Sequence, residues 1–301
     1  MKFDGENIRL GSKPEDNYIQ IEYDDFLLSY LNESIPANKG ASSNLFILTD
    51  PNGDTEDRVI KICKTPISNG KNKKTKRFDR EIKAFRIASK KSLQNVIKFY
   101  KSGIVEIDEH AFMYIIMEKA NGDLAGYLES NDFKFSINQK LTICLNILNG
   151  VKQLHKEGIY HRDIKHDNIL LVNDEFKVGD LGLVKFQNED FEFDGPNEKI
   201  GPTGWLSPEA TNKMLTYKKK IGYVYDCDIN NVSDIFQLGK LFWYIFQGNL
   251  PIGQILNIDS NFKETDIFDI IFSMLQYQKT RRPSINEIEN KMMPIKLKYA
   301  V

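Results

Sequence analysis

A change in residue pattern near residue 120 constrains the fold of this chain more than any other feature. From residue 21 to about residue 117, short apolar runs are separated by turn signals such as Asp50-Pro51-Asn52-Gly53, and such runs predict β-strands. After the polar stretch 118–122, apolar residues recur at helical spacing instead. A chain with strands first and helices afterwards is expected to be an α+β protein.

The β-rich part contains one predicted hairpin and one predicted helix. Phe46-Ile47-Leu48 and Val59-Ile60-Lys61-Ile62 flank the turn and are predicted strands. The basic stretch 64–77 is interpreted as a solvated loop, because the nearly neutral chain gives little support for a nucleic-acid surface. Residues 78–89 place apolar side chains at helical spacing, which predicts an amphipathic helix.

The helical part is predicted from caps and periodicity. Ser136-Ile137-Asn138-Gln139 is a capping box before an apolar stripe. Residues 169–172 and 176–178 are the predicted strands of a hairpin. Ser233 is the predicted cap of a helix over 234–246, which is apolar on nearly every side and is therefore expected to be buried.

Composition disfavours several classes of function. The 301 residues carry a formal net charge of −1, which argues against nucleic acid or an anionic membrane as the main partner. Cys63, Cys144 and Cys227 lie far apart without a CxxC pair, so we expect a reducing compartment and no zinc site. No run approaches the roughly 20 apolar residues of a membrane span, and no apolar run follows Lys2 as in a signal peptide. We therefore expect a cytoplasmic protein.

The stretch 160–171, Y-H-R-D-I-K-H-D-N-I-L-L, carries the most chemical content. A His-Arg-Asp triplet followed by Asn five residues after the Asp is a catalytic-loop pattern. Asp163 could accept a proton from a substrate hydroxyl, and Asn168 could hold a metal ion. The stretch alone thus indicates a base and a metal ligand, and it requires further parts elsewhere in the chain.

The further motifs that such a site requires occur in order along the chain. They are Arg58-Val59-Ile60-Lys61, Arg80-Glu81-Ile82, Asp180-Leu181-Gly182, and Ser207-Pro208-Glu209 with a distant Arg282. Together with the catalytic loop, this ordered set resembles the eukaryotic-type protein kinase family between residues 38 and 282. The resemblance implies a two-lobed kinase fold, with a small β-rich N-lobe that contains one key helix and a larger, mostly helical C-lobe.

The resemblance also implies domain limits. Residues 1–20 are polar with little periodicity and are interpreted as an N-terminal extension. The kinase domain would span 21–301, with the N-lobe over about 21–117, the hinge over about 118–122 and the C-lobe over about 123–301.

By this resemblance, four residues are expected to act in catalysis. Lys61 would grip the α- and β-phosphates of ATP, and Glu81 would fix the position of Lys61. Asp163 would orient the acceptor hydroxyl and take its proton late in the reaction. Lys165 would neutralise charge on the γ-phosphoryl group in the transition state.

ATP and Mg²⁺ are the implied cofactors, bound in the cleft between the lobes. Asn168 and Asp180 would bind Mg²⁺, which prefers oxygen ligands together with phosphate oxygens. The residues that the resemblance assigns to cofactor binding are Asn38, Gly40, Ser43, Leu45, Val59, Lys61, Met117, Glu118, Ala120, Asp123, Asn168, Leu170 and Asp180.

Two segments depart from the family's pattern. The phosphate loop G-x-G-x-x-G is Asn38-Lys39-Gly40-Ala41-Ser42-Ser43 here, and the loss of two glycines limits backbone freedom near the phosphates. The segment 183–200 contains no Ser, Thr or Tyr. Its acidic residues could supply standing negative charge to Arg162 in place of a phosphorylated hydroxyl, or form only a solvated acidic loop; they are Glu189, Asp190, Glu192 and Asp194.

Acceptor specificity is indicated by three positions. Pro202 stands where serine/threonine kinases commonly carry Thr, and Trp205 stands where tyrosine kinases carry Trp. Lys165 is the serine/threonine form and acts directly on the chemistry, so Ser/Thr specificity is expected and dual specificity stays open. Glu209 is expected to form a structural ion pair with Arg282.

The sequence therefore predicts an ATP-dependent protein kinase that phosphorylates Ser or Thr in protein substrates, and self-phosphorylation stays open. One alternative is a pseudokinase that binds nucleotide as a scaffold, which the degenerate phosphate loop favours. The other is a small-molecule phosphotransferase, which the Ser207-Pro208-Glu209 segment and Arg282 disfavour. Protein substrates are the expected partners, and neither nucleic acid nor a membrane is expected.

Overall fold

The structure is a computed structural model that describes residues 1–31, 42–67, 72–189, 194–195, 198–216 and 225–300. The chain forms two compact units. The first comprises Met1–Ser92 and Ile97–Lys119, and the second comprises Leu93–Val96 and Ala120–Val301. The predicted α+β fold class is confirmed, because strands dominate the first unit and helices dominate the second.

The first unit is built on one antiparallel sheet and one helix. Its elements are β1 (Lys2–Phe3), β2 (Ile8–Arg9), β3 (Tyr18–Ile21), β4 (Asp24–Tyr30), β5 (Ser43–Thr49), β6 (Arg58–Cys63), α1 (Lys73–Lys90), β7 (Phe99–Ile107) and β8 (His110–Glu118). Six strands form the sheet in the order β3-β4-β5-β6-β8-β7, and β1 pairs with β2. The core of this unit includes Phe46, Ile60 and Phe112, which are fully buried.

The predicted hairpin is confirmed as β5 and β6. Phe46 pairs with Ile60 in the register of the two strands. In the turn, the backbone N–H of Gly53 donates to the Asp50 carbonyl at 3.1 Å, and Gly53 has φ +75°, a conformation that glycine adopts without steric cost. β6 has neighbours on both edges, and five of its six residues are buried, which explains its nearly continuous apolar run.

The first twenty residues lie within the first unit. β3 pairs with β4 at the edge of the sheet, and Ile8 and Ile19 are buried in the same core as Phe46. The backbone N–H of Ile8 donates to the buried side-chain oxygen of Asn44 at 3.1 Å. Only alternate residues of β3 are buried, as expected for one face of a strand, so this stretch is polar on average. The domain limit near residue 20 stays a prediction.

Helix α1 begins earlier than predicted. Its cap is Asn72, whose side-chain oxygen accepts the N–H groups of the second and third helical residues at 2.9 Å and 3.1 Å. The prediction of a loop over residues 73–77 was therefore wrong, because Lys and Arg are as compatible with an exposed helix as with a loop. The predicted apolar face is confirmed, with Phe78 and Phe85 buried.

The second unit combines six α-helices with short strands in the part of it that is described. Its elements are β9 (Gly122–Asp123), α2 (Leu124–Ser130), α3 (Ile137–Lys156), β10 (Ile159–Tyr160), β11 (Ile169–Val172), β12 (Glu175–Val178), β13 (Lys185–Phe186), α4 (Pro208–Thr216), α5 (Asn231–Gln247), α6 (Thr265–Met274) and α7 (Ile285–Lys298). β12, β11 and β9 form one small sheet, and β10 pairs with β13.

The predicted capping box and second hairpin are confirmed. The Ser136 hydroxyl accepts the N–H of Gln139 at 3.2 Å, and the Gln139 side chain accepts the N–H of Ser136 at 2.9 Å. β11 pairs with β12 in antiparallel register. The turn residues Asn173 and Asp174 have φ +49° and +64°, which is the backbone of a type I′ turn. This hairpin begins at Ile169, within the 160–171 stretch, and holds the downstream end of that stretch.

Helix α5 is buried as predicted but begins three residues earlier than residue 234. The cap is Asn230, whose side-chain oxygen accepts the N–H of Val232 at 3.0 Å, while Ser233 completes the capping box from inside the helix. The assignment of Ser233 as the cap was wrong because Asn caps helices as well as Ser does. Within the described residues, no helix has the length and apolarity needed to cross a membrane.

Candidate active site

Asp163 is the centre of the candidate site in the second unit. It follows β10 and is 7% exposed. The Asn168 amide nitrogen donates to the Asp163 carbonyl oxygen at 2.8 Å and to Oδ2 at 2.9 Å. Asp163 Oδ1 is buried and makes no hydrogen bond with any residue that the structure describes. A buried carboxylate oxygen without a donor is costly, so Oδ1 is suited to accept a hydrogen bond from a substrate group.

Burial raises the pKa of the Asp163 carboxyl from 3.8 to about 6. The low polarity of its surroundings disfavours the charged form. The nearby cation of Lys165 opposes this rise, whereas the carboxylate of Asp180 adds to it. A carboxylate with a pKa near neutrality is a stronger base than an ordinary aspartate and is still deprotonated at neutral pH.

One cation, Lys165, and one carboxylate, Asp180, lie near Asp163. The Lys165 ammonium nitrogen lies 3.9 Å from Asp163 Oδ2 and 3.8 Å from an Asp167 carboxylate oxygen. Asp180 follows β12, has an exposed side chain and adopts φ +48°. Its carboxylate accepts the N–H of Gly182 at 3.3 Å. The site thus has a cation close to the base and a solvent-facing carboxylate close enough to affect the pKa of Asp163.

Asn168 and Asp180 fit the coordination chemistry of Mg²⁺. The amide nitrogen of Asn168 is occupied by Asp163, so its amide oxygen is the atom that a cation could use. Among the described residues, no group of three or more His, Cys, Asp or Glu side chains could form a closed metal site. Mg²⁺ commonly takes one or two protein ligands and completes its shell with phosphate oxygens and water, so this sparse set of oxygens suits a metal that arrives with a nucleotide.

Two side chains of helix α5 accept hydrogen bonds from the backbone of the catalytic loop. Asp234 is fully buried, and its two carboxylate oxygens accept the backbone N–H groups of His161 and Arg162, each at 2.8 Å. Gln237, one turn along the helix, accepts the N–H of Ile164 at 3.0 Å. The sequence prediction did not include these supports. Their signal was two polar residues, three positions apart, in a helix that is mostly apolar.

His161 has a structural place in this loop. It is fully buried, and its Nε2 donates to the Gly179 carbonyl at 2.9 Å, so Nδ1 faces the N–H of Asp163 at 3.3 Å. Both ring nitrogens are therefore used within the protein. Its ring connects the catalytic loop to the backbone just before Asp180.

Arg162 links the catalytic loop to a distant part of the chain. Its Nε donates to the Leu183 carbonyl at 2.7 Å, and its terminal nitrogen lies 2.5 Å from an Asp194 carboxylate oxygen. Both charged side chains are buried. Of the four acidic residues proposed to neutralise Arg162, Asp190 and Glu192 lie outside the described residues, and the structure places Asp194 against Arg162.

Glu209 and Arg282 form the predicted ion pair, which is confirmed. The two terminal nitrogens of Arg282 lie 2.6 Å and 3.2 Å from the carboxylate oxygens of Glu209, and both residues are buried. Arg282 also donates to three backbone carbonyls, and Glu209 accepts the hydroxyl of Ser233 at 3.0 Å. A planar arginine with several donors suits such a site better than a lysine would.

In the first unit, Lys61 and Glu81 form a buried ion pair. The Lys61 ammonium on β6 lies 2.6 Å from Oε1 of Glu81 on α1, and the two residues are 7% and 2% exposed. Burying two charges costs free energy unless they are closely paired. The sequence placed these residues together only through the resemblance, and the structure brings them together within the sheet-and-helix unit.

Residues assigned to the nucleotide share one face of the sheet. Leu45 on β5 lies opposite Lys61, and Met117 on β8 lies opposite Val59. Because directly paired residues and residues two apart in a strand point to the same side, these four side chains lie on the face that Lys61 presents to α1. Ser43, two residues before Leu45, is buried on that face as well.

The remaining assigned residues are placed differently. The backbone N–H of Glu118 donates to the Lys98 carbonyl at 2.9 Å, so a ligand cannot use that N–H. Asp123 pairs in register with Leu170, and Asp123 Oδ1 caps α2 by accepting the N–H of Gly126 at 2.8 Å. Ala120 is the first residue of the long segment of the second unit. Asn38 and Gly40 lie outside the described residues, and the roles of all these residues stay predictions.

The family comparison agrees with the geometry. The sequence model of the protein kinase domain matches residues 40–293. This range covers most of the chain and includes both the Lys61–Glu81 pair and the Asp163 site.

Individual relatives are similar over shorter or more diverged stretches. Serine/threonine-protein kinase CLA4 of Candida albicans is 31% identical over 163 residues, which are 52% of this chain and 15% of the relative. Dual specificity protein kinase TTK of Mus musculus is 27% identical over 164 residues, 54% of this chain and 18% of the relative. LRR receptor-like serine/threonine-protein kinase GSO2 of Arabidopsis thaliana is 24% identical over 291 residues, 92% of this chain and 21% of the relative. The chain thus spans about a fifth or less of the length of these relatives.

Proposed function

The chain belongs to the protein kinase domain family, and from this premise we propose that it transfers the γ-phosphoryl group of ATP to Ser or Thr hydroxyls of protein substrates. Members of this family act on proteins and generally use ATP with Mg²⁺. The observation that carries the proposal is Asp163, a buried carboxylate whose Oδ1 makes no hydrogen bond with the described part of the chain. An acceptor hydroxyl would supply the missing hydrogen bond.

Asp163 has a defined part in the proposed reaction. Its Oδ1 accepts the hydrogen bond of the acceptor hydroxyl, and the amide of Asn168 keeps the carboxylate in a fixed orientation. This restricts the nucleophile to one approach direction, which lowers the entropic cost of the transition state. As the new P–O bond forms and the bond to ADP breaks, the hydroxyl proton passes to Asp163.

The remaining site residues contribute by charge or by metal binding. The Lys165 ammonium, 3.9 Å from Asp163 Oδ2, would stabilise the negative charge of the transferring group. Asn168 and Asp180 would hold Mg²⁺, which when bound neutralises charge on the phosphate oxygens. Lys61, oriented by Glu81, would bind the non-transferred phosphates.

Ser/Thr acceptors are favoured by two observations. Lys165 occupies the loop in the serine/threonine form, and two of the three relatives described above are named serine/threonine kinases. Trp205, which resembles tyrosine kinases at its position, is buried against the rings of His166 and Tyr244 with centroids 5.0 Å and 6.2 Å away. Its burial supports a packing role for Trp205 rather than contact with an acceptor ring.

The test is phosphoryl transfer from radiolabelled ATP with Mg²⁺, followed by mass spectrometry of the phosphorylated sites. The native chain is compared with Asp163→Asn and with Asp174→Asn, an exposed turn carboxylate whose left-handed backbone Asn also tolerates. We expect Ser or Thr phosphate from the native chain and from Asp174→Asn, and a loss of about 10²–10⁴-fold in Asp163→Asn.

Other outcomes would identify a different activity. Thermal stabilisation by ATP with Mg²⁺ but no transfer would indicate a pseudokinase. Transfer to aminoglycosides but to no protein would indicate a small-molecule phosphotransferase. Undiminished transfer by Asp163→Asn would remove Asp163 from the mechanism.

A further inference from the structure

Asn44 is a polar residue at a core position of β5. It is fully buried on the same face of the strand as Phe46, two residues later, which belongs to the core of the first unit. Its side-chain oxygen accepts the backbone N–H of Ile8 at 3.1 Å. Its chain neighbours, Ser43 and Leu45, point to the opposite face, which carries residues assigned to the nucleotide. A contact at Asn44 therefore acts on the strand that presents Ser43 and Leu45.

The same stretch of chain also holds the neighbouring strand. Tyr30 is the last residue of β4, and its hydroxyl accepts the backbone N–H of Leu10 at 3.0 Å. Its ring packs against Phe46 of β5, with centroids 5.9 Å apart. Residues 8–10 thus bond to both β4 and β5, at the strand ends that flank residues 31–42.

A third contact lies at the end of β6. Lys64 directly follows β6, and its backbone N–H donates to the Ser42 carbonyl at 3.0 Å. Burial and the cation of Lys74 lower the pKa of the Lys64 ammonium, and the carboxylates of Glu6 and Asp4 oppose this effect. Residues 4–10 are therefore close to the same end of three adjacent strands, β4, β5 and β6.

The N-terminal segment, residues 2–21, is ordered by its own hydrogen bonds. Asn17 is 7% exposed, and its side-chain oxygen accepts the N–H of Gly11 at 2.6 Å. The Asn17 amide nitrogen donates to the carbonyls of Gly11 and Lys13 at 3.1 Å and 3.2 Å. All three bonds lie within the segment, and Ile19 anchors it in the core of the unit. The polar side chain of Asn17 thus has a structural task that explains its burial.

We propose that residues 2–21 position the nucleotide-binding part of the sheet, with Asn44 and Tyr30 as positioning residues that fix the placement of Ser43 and Leu45. A site that is held in its bound conformation before the ligand arrives loses less entropy on binding. The inference rests on the proposed function, because it takes ATP to be the ligand of this face. The N-terminal segment would act through β4 and β5 and would itself contact no nucleotide.

Three variants weaken these contacts at different points. Tyr30→Phe removes only the acceptor for one backbone N–H, Asn44→Ala removes the buried acceptor on β5, and Asn17→Ala loosens the segment from within. Val105→Ala is the control for lost stability, because Val105 is buried in the same core but lies on β7. Tyr23→Phe, at a tyrosine that is 95% exposed, is the control for the loss of a hydroxyl.

Four measurements are made on each full-length chain. Isothermal titration calorimetry gives the Kd of ATP with Mg²⁺, and steady-state kinetics give kcat and the KM for ATP. Hydrogen exchange of peptides covering residues 43–49 reports the order of β5 without requiring activity. Urea denaturation gives the midpoint of unfolding, against which the changes in binding are compared.

We expect Tyr30→Phe to raise the Kd and the KM for ATP about 3- to 10-fold, which corresponds to one lost hydrogen bond. Asn44→Ala and Asn17→Ala should raise both by at least about tenfold. The kcat should change by less than about threefold in all three, because the base and its supports lie in the second unit. Exchange of residues 43–49 should be faster in these three variants.

The two controls should bind ATP within about twofold of the native Kd. For Val105→Ala this should hold even if its urea midpoint falls as far as that of Asn17→Ala, because the hydrogen bonds to β4 and β5 remain. An equal rise of the Kd in Val105→Ala would overturn the proposal, since lost stability alone would then explain the weaker binding.

Native Kd values in Tyr30→Phe and Asn44→Ala would overturn it as well. If Asn44→Ala does not fold, the conservative variant Tyr30→Phe decides in the same way. If the native chain binds ATP but transfers no phosphate, the proposed function fails while calorimetry still decides this inference. If the native chain binds no ATP, both are wrong.

Discussion

The backbone N–H of Arg162 donates to Oδ1 of Asp234 at 2.8 Å, although the two residues are 72 positions apart. The other carboxylate oxygen of Asp234 accepts the N–H of His161, also at 2.8 Å, and lies 2.8 Å from Nε2 of His155. A side chain on α5 therefore sets the backbone of the catalytic loop immediately before Asp163. The position of the base depends on a helix that supplies no catalytic group.

Replacement of Asp234 with Asn should reduce both stability and transfer. Asn would turn an NH₂ group towards backbone N–H donors, so one of them would lose its partner in a fully buried site. We expect a loss of about 2–4 kcal/mol in the free energy of unfolding, measured by urea denaturation, and at least about a tenfold loss in kcat. Asp269→Asn, at an exposed position of α6, should change stability by less than about 0.5 kcal/mol. Equal effects of the two variants would contradict the role of Asp234.

The pH dependence of transfer should reflect the pKa of Asp163, which is raised to about 6 by burial. The base must be deprotonated to accept the hydroxyl proton. The kcat/KM of the native chain should therefore be constant above about pH 7 and should fall about tenfold for each pH unit well below 6. The measurement is kcat/KM between pH 5 and 8 in buffers of constant ionic strength. A profile that is flat down to pH 5 would argue against Asp163 as the base.

The same pKa predicts that Asp163→Asn is more stable than the native chain at alkaline pH. The carboxyl binds its proton more tightly in the folded state, with a pKa of about 6, than at its ordinary value of 3.8. Its contribution to stability therefore falls as the pH rises from about 4 through 6. Since each pH unit corresponds to about 1.36 kcal/mol, Asp163→Asn should gain about 1–3 kcal/mol at pH 8.

Urea denaturation at pH 8 and at pH 4 measures this gain. The difference between Asp163→Asn and the native chain should be smaller at pH 4, where the carboxyl is protonated in the folded state. If Asp163→Asn is less stable than the native chain at pH 8, the Asp163 carboxylate stabilises the fold and does not destabilise it.

Removing Lys61 alone should destabilise the protein more than removing both charges of the Lys61–Glu81 pair. Lys61→Met leaves the Glu81 carboxylate buried without the Lys61 ammonium, which should cost about 3–5 kcal/mol of stability and abolish transfer. Adding Glu81→Gln removes the buried charge that Lys61 compensated and should restore most of the stability, but not the activity, because the phosphate-binding cation is still missing. Unfolding free energies and transfer rates of the native chain, Lys61→Met, Glu81→Gln and the double variant form a double-mutant cycle.

The exposed pair Lys119–Asp57, 2.8 Å apart with side chains 38% and 40% exposed, provides the control for this cycle. Lys119→Met should cost less than about 1 kcal/mol because water already solvates both charges. A double variant that remains as unstable as Lys61→Met would show that the lost stability came from packing and not from the charge on Glu81.

Local signals predicted several elements correctly because their causes lie within a few residues. The turn at Gly53 specifies the β5–β6 hairpin, and the box from Ser136 to Gln139 starts α3. The residues that cap helices were harder to predict, because Asn and Ser can both accept the first free N–H groups of a helix. Asn72 and Asn230, rather than later residues, begin α1 and α5, since Asn accepts the first free N–H groups as effectively as Ser.

The candidate site, too, was predictable from the sequence only in part. The order of motifs indicated Lys61, Asp163, Asn168 and Asp180 as the residues with chemical roles. It contained no information on which groups would lie near one another in space beyond what a resemblance implies. The raised pKa of Asp163 depends on burial by residues far away in the chain.

By itself, then, the sequence determined the two-part α+β organisation and the chemical types in the 160–171 loop, because periodicity, turns and motif spacing are local properties. Only the tertiary structure showed that Asp194 is a partner of Arg162 and that Asp234 supports the loop. Both choices depend on which carboxylates become buried beside a donor. Burial is decided by the packing of distant elements, and a charge that loses water must find its partner there.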